Sequence, residues 1–336
     1  MQGRSKKMLL LLSISAFALM LLIPAIPTLL EIFRPKDDVQ LHISEGYERD
    51  ARWFGTALRA MLAPFVAAAH GAAFSEEVKL RTNEEVKWAP DFVIEAEKRV
   101  RGISVGDRVR VGQGAGIRDA YALESLDVES GVVARTLTSD GVMHIGESVQ
   151  ILRWIDANGE VTVGADSNLG VSASGGSRFT MGDHVEFERV WGSPVATQTA
   201  AEEPFTFEKH ENKRRLESVQ IGQTHVDAGK SMILYGAVRI ETNTHIPSHI
   251  KVHGPLYIEP GVRIDGNVIV RGDVTLASDV DVSGHVFAEG VVRLGPRSRV
   301  GRRGGVKTVY AGGHMQIAND VEVQGWIVAD AGGKTL

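Results

Sequence analysis

The 336-residue chain contains no cysteine. Disulfides, thiol catalysis and cysteine-ligated zinc are thereby excluded, while the compartment stays open, because a chain without thiols survives on either side of a membrane. An excess of one charge is also missing. The 37 basic and 42 acidic residues leave a formal net charge of -5 with no strong basic block, which argues against nucleic acid as a partner. With 43% apolar and 24% charged residues, the composition is that of folded globular material, long enough for two domains plus attachments.

One long uncharged run is present. After the basic tail 1–7 comes MLLLLSISAFALMLLIPAIPTLL, residues 8–30. At about 1.5 Å per residue it suffices to cross a hydrocarbon core of roughly 30 Å, so an N-terminal transmembrane helix in contact with membrane lipid is expected. The run exceeds a signal-peptide core, and no small-x-small cleavage pattern follows it. Arg4, Lys6 and Lys7 precede it and Arg34 and Lys36 follow, which favours a single-pass protein of the cytoplasmic (inner) membrane. The soluble part then lies outside the cytoplasm, with the cytoplasmic face as the alternative.

Residues 31–102 read as a connecting region containing an amphipathic helix over 47–69. There Trp53, Phe54, Ala57, Leu58, Met61, Leu62, Phe65 and Val66 form one apolar stripe interrupted by Arg49, Arg52 and Arg59. This helix either lies at a membrane interface or packs on its own domain. It is also the obvious cap for whatever follows.

From about 103 the pattern changes to short strands and glycine-bearing turns. IGESVQ (145), VGADSN (163) and MGDHVE (181) start eighteen residues apart and belong to a first repeat block, 103–192. The stretch 193–215 loses the pattern and reads as a linker or crossover. A second block, 216–330, is regular, and 331–336 is left as a tail. Counting from Gly236, Gly254, Gly272 and Gly313, the second and fourth residues onward are Val238/Ile240, Leu256/Ile258, Val274/Leu276 and Met315/Ile317. The tenth are Ile246, Ile264, Val282 and Val323. One turn carries five extra residues, around 301–312.

Eighteen residues divide into three short strands, each with apolar residues two apart, the period of a strand with one buried face. A single turn cannot bury that face, so each needs a neighbour above and below. The expected fold is mainly β: a β-solenoid, a three-faced β-helix of about 18 residues per turn, with the N-terminal transmembrane helix and one amphipathic helix. A solenoid end exposes unpaired backbone and an apolar cross-section. The last turn ends on Trp326, Ile327 and Val328 with eight residues after them, and is expected to be the interface through which copies polymerise.

The run GNVIVRGDVTLASDVDVSGHVFAEGVVRLGPRSRVGR, with its G-x-V-x-V-R-G-D-V opening and V-x-A-E-G-V-V-x-L core, resembles the bactofilins, polymer-forming bacterial cytoskeletal proteins. The resemblance covers roughly 216–330. It implies a β-helix that assembles end to end into filaments without nucleotide, often at the membrane, and scaffolds cell-envelope proteins.

The same repeat also fits the hexapeptide pattern of left-handed β-helix acyltransferases, which would require a general-base histidine beside a groove. His253, His285 and His314 are the candidates. A monomeric envelope adaptor with both ends capped is a third reading. His245, His249 and His253 are evenly spaced but need not converge on a metal, and VGQGAG (111–116) lacks the Lys-Ser/Thr of a phosphate cradle. No catalytic, cofactor or metal residue is assigned. The cluster Arg297, Arg299, Arg302, Arg303 and Lys307 around the insertion is the candidate contact for an anionic partner.

Overall fold

The computed structural model describes residues 50–70, 78–79, 85–198, 219–221 and 231–336. They form a β-solenoid in two blocks. In the first, the strands Glu85–Trp88, Arg99–Val111, Gly116–Val128, Val133–Ser139, Gln150–Ala157, Ser172–Gly175 and Glu186–Thr197 stack in parallel on one face. In the second, Met232–Tyr235, Ile250–His253, Val268–Val270, Val286–Ala288, Lys307–Ala311 and Glu322–Thr335 do the same.

The eighteen-residue period explains this register. Leu256 pairs with Val274 and Val274 with Val292, so the same column of the repeat always faces inward. Each of these side chains is at most 2% exposed. The glycine ladder has its own cause. A Cβ at Gly254, Gly272, Gly290 or Gly313 would press on the backbone of the glycine one turn below, so the upper residue of each stacked pair has no room for a side chain. A second corner takes a left-handed residue in nearly every turn, as at Ser148, Asp166 and His184, and again at Asn243, Gly261, Asp279 and Arg297.

The blocks meet tail to tail. Glu186–Thr197, the last strand of the first block, pairs antiparallel with Glu322–Thr335, the last strand of the second. All three faces take part: Phe187 lies opposite Gly333, Val190 opposite Ile327 and Val195 opposite Val323. The corners are stitched in matching fashion. The Thr197 hydroxyl donates to the Ala318 carbonyl (2.8 Å) and accepts from the Val321 amide (2.9 Å). The Thr335 hydroxyl donates to the Gly182 carbonyl and accepts from the Val185 amide, both at 2.7 Å. One apolar core therefore runs from Ile94 to Ala329 without a break. Seven layers and six, about 4.8 Å apart, make a rod about 60 Å long.

The structure corrects the expected fold class in one respect. Among the described residues there is one helix, Trp53–His70, and no helix long and apolar enough to cross a membrane. The run 8–30, with its expected lipid contact, lies outside the described residues. Among the described residues the fold is a solenoid with one flanking helix. Boundaries also differ. The first block begins at Glu85 rather than 103 and continues to Thr197. Residues 331–335 of the expected tail belong to the closing strand, and Thr335 is fully buried.

The helix does not cap the end of the rod. Leu62, Phe65 and Ala69 close over Val86, Trp88, Ile103, Val105 and Tyr121 on the flank of the first block. At its other end Phe54 stacks on Trp154, with centroids 5.8 Å apart. The first turn is instead closed on one face by Val78–Lys79, which pairs antiparallel with Glu85–Trp88.

Two outcomes test this architecture. A Cβ at Gly141 would land on the Glu124 carbonyl one turn below, so Gly141→Ala should cost about 1–3 kcal/mol in denaturant unfolding. Ile327→Asp places a carboxylate in the core beside Val190 and Val309, and should lower stability by about 3 kcal/mol or more. An unchanged unfolding midpoint would put that edge at the surface instead.

Candidate functional site

Trp326, Ile327 and Val328 do not form an open end. They pair with Trp191, Val190 and Arg189 of the same chain, so the edge expected to recruit another copy is occupied by the first block. The physical reason is the one that made it a candidate: an apolar cross-section and unpaired strands must be covered. Here an internal copy of the fold covers them.

The five basic candidates separate. Arg297 lies at a corner and forms a two-bond pair with Asp279 (2.7 and 2.8 Å), which holds that carboxyl below its ordinary range. Arg299 stands in a column between Asp281 and Glu322. Arg302, Arg303 and Lys307 come together with Arg263, Asp265, Ser283, Gly304 and Gly305 around one open groove.

The inserted loop builds that groove. Leaving the wall at Val300, it folds back along the rod, where Arg302 bonds Ser283 (3.0 Å) one turn below and Asp265 (3.1 Å) two turns below. Asp265 is held also by His245 (2.7 Å) and Arg263 (3.1 Å). The bond from His245, with help from Arg263, keeps its carboxyl below the usual range despite some burial. Arg303 and Gly304 turn the other way, toward Arg178, Ser193, Pro194, Glu322 and Gln324 at the joint between the blocks. Across that joint Arg178 reaches Glu322 at 3.5 Å.

The three acyl-transfer candidates stand apart from one another. His253 stacks on Tyr235 with centroids 4.8 Å apart. His285 stands two turns away at a corner, accepting the Thr308 amide on Nδ1, and burial followed by the nearby Lys307 charge lowers its pKa. His314 lies on a different face, in a hollow at the joint with Glu186, Phe187 and Lys334. Among the described residues no group of three metal-ligating side chains is found, and His245, His249 and His253 each have separate neighbours. The VGQGAG stretch forms an ordinary corner, with Gly114 at φ 67°.

A cluster that the repeat pattern did not reveal fixes the helix. Asp156, 1% exposed, bonds Arg52 through both oxygens (2.9 and 3.0 Å), accepts from Ser174 (2.6 Å) and pairs with Arg59. Arg59 also reaches Asp140 (2.5 Å) and the Ser139 carbonyl (2.6 Å), and Tyr121 donates to Asp140 (2.6 Å). Burial draws the Arg59 pKa down, but Asp156 and Asp140 outweigh it and the net shift is upward. Burial, reinforced by Asp140, pushes the Tyr121 phenol well above its ordinary range. The arginines stand seven apart, two turns of one helix face, and their interruption of the apolar stripe was the available signal.

Beyond the helix the same face of the rod continues with exposed apolar side chains, among them Phe287, Ile269 and Ile233. The molecule is a β-solenoid protein; compared with known proteins, it matches no family model, no curated protein and no solved structure.

Asp156→Ala would remove the carboxylate that Arg52 and Arg59 share. A loss of about 3–5 kcal/mol is expected, with hydrogen exchange accelerated first in the helix Trp53–His70. Uniform exchange across the rod would show that the helix is held by its apolar contacts alone.

Proposed function

We propose that the protein is a non-enzymatic scaffold, a bactofilin-like rod that joins other copies end to end without nucleotide. The observation that carries this reading is the tail-to-tail joint. Within one chain the two tail ends of this solenoid pack on each other across all three faces, which supports end-to-end packing as something this fold can do. Because the joint uses both tails, assembly between copies falls to the heads rather than to Trp326–Val328.

The two heads are dressed differently. At the first, Val78–Lys79 runs against the direction of the stack and blunts one face. At the second, Met232–Tyr235 pairs on one side with Ile250–His253, and among the described residues its other edge has no partner strand. Met232 and Leu234 are only partly buried at the end of the core, and Ile233 and Tyr235 are 53% and 70% exposed. A four-residue apolar edge of this kind pairs readily with another strand.

Negative-stain microscopy and sedimentation of the full chain, over a concentration series without nucleotide, should show rods joined at their ends. Ile233→Lys combined with Tyr235→Lys places charge on the head edge at two exposed positions, and should return single rods with unchanged circular dichroism. Single rods at every concentration in the parent protein would support the capped adaptor instead.

A further inference from the structure

We propose that the groove built by the 301–307 loop is a binding site for an extended polyanion, a chain of repeating oxyanion groups such as phosphoryl or carboxyl. The solenoid has no need of this loop, since neighbouring turns pass the same corner in five fewer residues. The loop is nonetheless anchored, by Arg302 on Ser283 and Asp265. Anchoring it uses Arg302 and leaves Arg303 and Lys307 on the rim, and among the described residues neither makes an ion pair. Four cationic side chains line the groove against a single carboxylate, Asp265.

Three features fit a chain better than an isolated anion. The groove is open rather than enclosed. Gly304, at φ 84° with nothing within 4 Å of where a Cβ would stand, leaves the backbone approachable from outside. Arg303 and Gly304 also line the adjoining hollow that contains Arg178, so the cations follow a path along the rod and across the joint. The lowered pKa of His285, caused by burial and then by Lys307, agrees with a positive field at that end. A flat anionic bilayer fits less well, because the cations line two adjoining hollows that run along the rod and across the joint rather than one flat patch.

The test measures binding of fluorescent inorganic polyphosphate, polygalacturonate, orthophosphate and vesicles containing anionic phosphatidylglycerol to the full chain. At least one of the two polymers should bind, more weakly as salt rises. Arg303→Ser with Lys307→Ser should weaken that binding at least about tenfold while circular dichroism and melting temperature stay unchanged. Arg297→Ser, at a different corner, should leave it unaltered. The proposal is overturned if the double variant binds polymer as tightly as the parent, if orthophosphate at equal phosphoryl concentration binds as well as polyphosphate, or if only the vesicles bind. Loss of polymer binding without change in end-to-end assembly separates this site from the scaffold reading.

Discussion

The rest of the structure depends on the antiparallel pairing of Glu186–Thr197 with Glu322–Thr335. Apart from Val78–Lys79 at the first head, the other described strand pairings along the rod are parallel, and each parallel stack ends in a problem it cannot solve alone: an edge of unpaired amides and carbonyls over an apolar section. Reversing one block against the other resolves two such ends at once. Val190 and Ile327, each at most 1% exposed, turn two cores into one, while the buried hydroxyls of Thr197 and Thr335 satisfy the backbone groups where the corners meet. The near-equivalence of the two threonine contacts shows the joint to be an approximate two-fold arrangement made from unlike sequences.

The flanking helix answers a different demand. A solenoid face in the first block carries Trp88, Val105 and Tyr121 outward, and apolar side chains in such a column need covering. Leu62 and Phe65 provide the cover. The arginine–aspartate cluster then fixes the helix in register, because a buried carboxylate at Asp156 is tolerable only with its charges and hydrogen bonds satisfied.

Most of the solenoid is legible in the sequence because each turn must obey the same constraint as its neighbours. Val238, Leu256, Val274 and Val292 announce a column without any knowledge of tertiary structure. The first turns are harder to read because their spacing departs from eighteen: Val86 pairs with Ile103 and Ile103 with Asp119, seventeen and sixteen residues on. The joint was not legible. A period states which residues face inward and says nothing about which turn lies against which, and the closing segment ADAGGKT looks like a polar tail until Gly333 is placed against Phe187. The basic groove lies between these cases. Arg302, Arg303 and Lys307 stood out in the sequence, whereas the contribution of Arg263, 39 residues before Arg302, follows only from the stacking of turns.

In a simple solenoid every strand ladder advances the same way, so one tip is where the winding begins and the other is where it stops. Here the winding begins at both tips and stops in the middle. Strand polarity therefore reverses at the joint, and each tip presents the starting edge of its own ladder. A strand added along the rod would meet opposite backbone senses on the two sides of the joint, while the two tips stay distinct in sequence and in the strands that close them.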